Sequence, residues 1–193
     1  FDSTHIPSYG PESRGGTSAW GTGSMPLGNV WSFPSKRVPP AETGRAMEDL
    51  VGRIAKAYAA FDAVAHPVEI GHRFEAAAFR LAAQVPIADP VPRLCALVCA
   101  SPFDAALHDA YGRLHGRHVW ECYGPEWLEE DLGHYLDDRF RGERLTPYVL
   151  ARPKPKLPLY HLVGALDALT DAEVKERLAD GLPNTLGEWI VKD

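Results

Sequence analysis

Met47, Leu50, Val51, Ile54, Tyr58 and Phe61 recur at i, i+3, i+4, i+7, i+11 and i+14, with lysine and arginine on the opposite face. That period is the apolar stripe of an amphipathic helix. A second helix is predicted from His66-Pro67, because proline suits a first helical turn. It carries Ile70, Phe74, Ala78 and Leu81, and the segment Pro86 to Pro92 closes it. The next run, Leu94 to Ala100, is almost wholly apolar, which predicts burial on all sides. Ser101-Pro102-Phe103-Asp104 then reads as a fresh helix start: serine can cap, proline fits the first turn, and an acid follows at the third position. Phe103, Ala106, Leu107, Ala110 and Leu114 continue the stripe to Gly116, a good stop residue. Residues 41–124 are thus expected to form a bundle of three or four helices.

The flanks follow other patterns. Residues 1–40 show no helical period, with a short strand expected within Thr17 to Gly23, and Phe1 to Ser13 does not read as two further strands. Glycine inside a strand marks close backbone approach. Residues 125–156 read as a solvated insertion or linker, acidic from Glu126 to Asp131 and basic from Arg139 to Arg144. Leu157 to Gly164 is a short apolar run bounded by proline and glycine, as a buried strand would be. Thr170-Asp171-Ala172-Glu173 has capping residues ahead of a helix, and Thr185 to Asp193 starts another.

Composition narrows the function classes. Of 193 residues, 45% are hydrophobic and 24% charged, the mix of a soluble globular protein. The formal charge of −6 argues against a nucleic-acid partner, which needs a basic face. Without an apolar run of about 18 residues, no membrane span is expected. Three cysteines make no even disulfide framework, and Cys95 and Cys99, four apart, share one helix face. They read as small core residues of a reducing compartment, which is taken as cytoplasmic.

Candidate chemistry is sparse. Asp104, His108 and His115 fall on one helix face and would be the ligands or acid/base groups of a metal-dependent enzyme. The plainer reading is an amphipathic helix with an ion pair, and Glu69, His72 and Glu75 read the same way. No serine elbow, phosphate-cradling loop or zinc spacing occurs.

The run Ser101 to Gly116, with Asp104, Ala106, Asp109, Gly112 and Gly116, followed by Val119-Trp120-Glu121-Cys122-Tyr123-Gly124, resembles a pattern of the mandelate racemase and muconate lactonizing branch of the enolase superfamily. Trp20 to Trp31 is similar to the last strand and loop of that family's cap sheet. Leu157 to Gly164 and Thr185 to Asp193 are similar to its first barrel strand and helix. The resemblance implies an α+β fold, with residues 1–40 as the remnant of an incomplete antiparallel cap sheet and its specificity loop. The bundle at 41–124 follows, then the 125–156 linker, and at 157–193 the first β/α unit of a TIM barrel. It implies a parent lyase or isomerase, an acid sugar dehydratase or racemase, that abstracts a proton α to a carboxylate with the help of Mg²⁺. The catalytic residues and metal ligands would lie on later barrel strands beyond Asp193. This chain would supply specificity and active-site closure, with Met25, Leu27, Asn29, Trp31 and His161 as substrate contacts. The expected partners are a small-molecule carboxylate, the protein's own C-terminal barrel and further copies in a homo-oligomer. The rival reading is a non-catalytic helical interaction module.

Overall fold

The computed structural model describes residues 4–8 (backbone alone), 18–150, 152, 154–158 and 168–192. The chain divides into two units, 1–153 and 154–193. The fold is α+β and mostly helical.

The first unit opens with two antiparallel strands, β1 (Thr4–Ser8) and β2 (Ala19–Gly23), in the register Thr4 to Gly23 and Ser8 to Ala19. β1 is the one strand described within Phe1 to Ser13, a segment not expected to read as the first two strands of a cap sheet. Pro7 masks it in the sequence, yet proline is tolerated in an edge strand that need not donate outward. A one-turn helix α1 (Asn29–Ser32) leads to α2 (Pro40–Ala59), α3 (Pro67–Ala83) and α4 (Arg93–Leu114). Proline stands at the first turn of α2 and of α3, where its missing N–H is an orphan anyway. Phe33, Met47, Leu50, Ile54, Phe74 and Phe103 are almost wholly buried, and burying each such side chain contributes roughly 1.5–3 kcal/mol.

Helix α4 is the hub, touching β1, β2, α1, α2, α3 and the turn Val119–Cys122. It runs unbroken through Ser101-Pro102, so the expected fresh start there is wrong. Pro102 removes the N–H that would pair with the Val98 carbonyl. The Ser101 hydroxyl donates to that carbonyl instead, at 2.9 Å. Serine here repairs the helix rather than capping it, and Asp104 sits in mid-helix. The expected all-round burial of Leu94 to Ala100 is also wrong, because Leu94 and Leu97 are about half exposed. Cys95, Ala96, Val98 and Cys99 face the core while those two point away from it. All three cysteines are free and buried.

β2 lies directly on α4. A Cβ on Gly21 would stand 1.8 Å from the Ala106 carbonyl oxygen, and one on Gly23 1.8 Å from that of Pro102. Glycine at alternate strand positions therefore meets Pro102, Ala106 and Ala110, which recur every four residues along the helix. The Thr22 N–H donates to Asp109 Oδ2 at 2.9 Å and ties the strand to the helix from its other edge. α4 ends where expected: Gly116 has φ of 61°, its N–H donates to the Arg113 carbonyl, and the Arg117 N–H to that of Gly112.

Residues 125–150 hold only short turns and the one-turn helix α5 (Leu132–Tyr135). In the second unit Thr170 and Glu173 form a reciprocal capping box, but it opens a single 3₁₀ turn at Asp171–Glu173. Helix α6 (Leu186–Lys192) occupies the expected Thr185 to Asp193 region. The expected strand at Leu157 to Gly164, His161 included, lies largely outside the described residues.

Candidate functional site

The loop expected to contact substrate is anchored from below. Met25 and Leu27 pack, partly buried, against the core of α2, α3 and α4. Asn29 donates from Nδ2 to the Pro40 carbonyl at 2.6 Å and to Thr43 Oγ1 at 2.9 Å, which pins the loop to the first turn of α2. Ser32 Oγ donates back to the Gly28 carbonyl at 3.0 Å. Gly28, at φ of 52°, starts α1 in the left-handed region, and a Cβ there would meet the Trp31 indole at 2.1 Å. Trp31 itself is 54% exposed, beside an exposed Val30. Of the four loop candidates, three hold the loop in place and Trp31 is presented to solvent.

A cleft of about 450 Å³ opens elsewhere, between the last turns of α4 and residues 117–123. Asp104, His108, Asp109, Arg113, Arg117 and His118 supply its polar groups, and Trp120 and Tyr123 its aromatic wall. His108 Nδ1 lies 2.9 Å from the Asp104 carbonyl oxygen. A carbonyl can only accept, so Nδ1 carries the hydrogen of this bond. The Asp104 carboxylate stands 3.6 Å from the same ring nitrogen. Its Oδ1 leans over Gly71 of α3, 2.8 Å from where a Cβ would be. Surrounding protein holds this carboxyl above the usual carboxylate range, partly offset by His108. Burial together with the Asp104 charge pushes the Tyr123 phenol up to about 12.

The sequence trio of Asp104, His108 and His115 does not converge. The His115 ring turns away to pack on Tyr111 and Trp127, with centroids 4.5 and 4.7 Å away. Among the described residues, no group of three or more His, Cys, Asp and Glu side chains is placed to hold a metal ion. No helix among them is long and apolar enough to cross a membrane.

Two buried polar groups, His66 and Glu69, make contacts across the fold. His66, 7% exposed, caps α3: its Nδ1 accepts from the Val68 N–H at 3.2 Å, and its Nε2 donates to the Cys122 carbonyl at 2.9 Å. Both ring nitrogens are thereby committed to the neutral form, and burial lowers the pKa to about 4. In sequence, His66-Pro67 marks only a boundary. Glu69, one turn on, accepts from Arg73 Nε at 2.5 Å and His134 Nε2 at 3.0 Å, which fastens α5 to α3. Beside it the Tyr135 hydroxyl is buried without a hydrogen bond of good geometry, and burial and the Glu69 charge raise its pKa. Arg73 is at ordinary helical spacing, but His134 lies 65 residues away in the chain, so no local spacing could reveal that contact. Compared with known proteins, the chain matches no family model, no curated protein and no solved structure.

Proposed function

We propose that the chain is the cap of an enolase-superfamily enzyme, contributing substrate specificity and closure to a reaction that abstracts a proton α to a carboxylate. The supporting observation is what the motif residues do. Ala106 receives the Gly21 backbone, Asp109 holds Thr22 and pairs with Arg113 at 3.0 Å, and Gly112 lets residues 117–119 pass where a Cβ would stand 2.9 Å from the Arg117 carbonyl. Those positions are the joints of a strand-on-helix unit, which is how a sheet-and-bundle cap is held together. The Trp31 loop, braced by Asn29 on α2 and exposed at its tip, has the build of a closing element: a fixed base and an apolar tip that can exclude water.

In this reading Mg²⁺ stabilises the charge that develops on the substrate carboxylate, held by barrel residues of the parent protein. The described residues of this chain do not fit that ion. Small carboxylates remain the proposed substrates, and the protein's own barrel and further copies of the chain the proposed partners.

The test uses the protein encoded through and beyond Asp193, incubated in D₂O with Mg²⁺ and a panel of acid sugars. Proton NMR should show exchange or elimination at the α carbon for at least one. Trp31→Ala should raise KM or alter substrate preference while leaving the urea midpoint in place. Absence of turnover across the panel, together with a coding sequence that supplies no later barrel strands, would leave the interaction module.

A further inference from the structure

The cleft at the end of α4 is a site in its own right, independent of the cap reading. Its charges are unevenly satisfied. Arg113 is paired with Asp109 through Nε at 3.0 Å, and Arg117 has Glu121 at 3.7 Å. Asp104 is different: among the described residues its carboxylate receives no hydrogen bond, and its nearest cationic candidate is the His108 nitrogen at 3.6 Å, whose hydrogen is given to a backbone carbonyl. The cleft thus offers one carboxylate without a committed donor. Its walls are Tyr123 and a half-exposed Trp120, with ring centroids 5.7 Å apart. An aromatic face attracts cations through its quadrupole, most strongly when partly desolvated.

We propose that this cleft binds a small organic cation, an ammonium group on an apolar body, with Asp104 meeting the charge and Trp120 and Tyr123 holding the body. A volume of about 450 Å³ is in the range of small-molecule sites and takes a ligand of one ring. An anion drawn to Arg113 or Arg117 would meet guanidiniums whose charge Asp109 and Glu121 already offset, and it would share the cleft with the Asp104 carboxylate.

The experiment titrates the chain with benzylammonium, benzyl alcohol and benzoate, and follows backbone amide shifts by ¹H–¹⁵N NMR. Benzylammonium should give saturable shifts centred on Gly112, Val119 and Trp120. Benzyl alcohol should bind at least tenfold more weakly, and benzoate should not saturate. Asp104→Asn, close to isosteric, should weaken benzylammonium at least tenfold without lowering the urea midpoint. Gly71→Ala provides a second variant if Asp104→Asn fails to fold, because its new methyl displaces Oδ1 and should weaken binding in the same direction. Benzoate binding as tightly as benzylammonium, affinity unchanged in both variants, or no saturable shift with any probe would each overturn the assignment.

Discussion

The seam between β2 and α4 makes an unusually sharp stability prediction. Gly21→Ala places a methyl carbon 1.8 Å from the Ala106 carbonyl oxygen and 2.6 Å from the Ala110 nitrogen, both backbone atoms of a helix that cannot rotate aside. Ordinary contact begins near 3.4 Å, so the strand must retreat by about 1.5 Å or the helix must deform. Overpacking of this kind costs about 1–3 kcal/mol when side chains can adjust. Here they cannot, and retreat also stretches the 2.9 Å Thr22 to Asp109 bond, a charge-assisted contact worth about 1.5 kcal/mol or more. The expected loss is therefore about 3 kcal/mol or more. In urea, with a slope of about 2 kcal/mol/M, the midpoint falls by about 1.5 M. A reduced slope would mean that the hairpin has come away before the helices melt. The control is Gly52→Ala in α2, where nothing lies within 4 Å. That change should stabilise by about 0.5–1 kcal/mol through helix propensity. Identical chemistry is thus predicted to act with opposite sign at two positions. A Gly21→Ala midpoint within 0.2 M of the parent, on the order of 0.5 kcal/mol, would refute the close seam.

Three further outcomes follow from other contacts. His66 has a folded-state pKa of about 4 against 6.5 when unfolded, so stability is full above pH 6.5 and falls as pH drops toward 4; the loss is up to about 3 kcal/mol, with a slope of at most about 1.4 kcal/mol per pH unit. His66→Asn can keep the cap but does not titrate, so chemical denaturation at pH 7 and 5 should show a flatter dependence than the parent, and equal slopes would remove His66 as the cause. Ser101→Ala should cost about 1–2 kcal/mol by leaving the Val98 carbonyl unpaired beside Pro102, read as a lower midpoint in thermal or urea melts. Asn29→Ala, losing its bonds to Pro40 and Thr43, should lower stability by about 1–2 kcal/mol and increase amide exchange across residues 25–32.

What the chain declared in advance is what depends on local period. The stripes from Met47 to Tyr58 and from Ile70 to Leu81 became α2 and α3, with Phe61 just past the end of α2, and Gly116 ended α4, because helix phase and a left-handed cap are demands on single residue types. The strand at Ala19–Gly23 was visible through its glycines, whereas its partner Thr4–Ser8 was not. A strand next to one neighbour needs little side-chain pattern. The cleft beside α4 was half legible. The Asp104 and His108 spacing showed one face, but only the chain's return at residues 117–123 supplies the aromatic wall, and His115 packs instead on Tyr111 and Trp127.

Helix α4 shows most clearly why the remainder was hidden. An apolar run followed by Ser-Pro is locally indistinguishable from the end of one element and the capped start of the next. The decision between the two readings is made by the surroundings. Breaking the helix at Pro102 would save one orphaned carbonyl but would tear the row of Pro102, Ala106 and Ala110 on which Gly21 and Gly23 lie. Keeping it whole leaves only the Val98 carbonyl to satisfy, and Ser101 does so at 2.9 Å. One side-chain hydrogen bond therefore offsets what proline removes, and strand packing across two turns favours continuity. The same logic explains Leu94 and Leu97. An apolar run is buried on all sides only if neighbours exist on all sides, and at this end of α4 they do not: both leucines remain about half exposed while Cys95 and Cys99 are fully covered. The residue string carries the helix's capacity to be buried, while the number of neighbouring elements sets how much of that capacity is used.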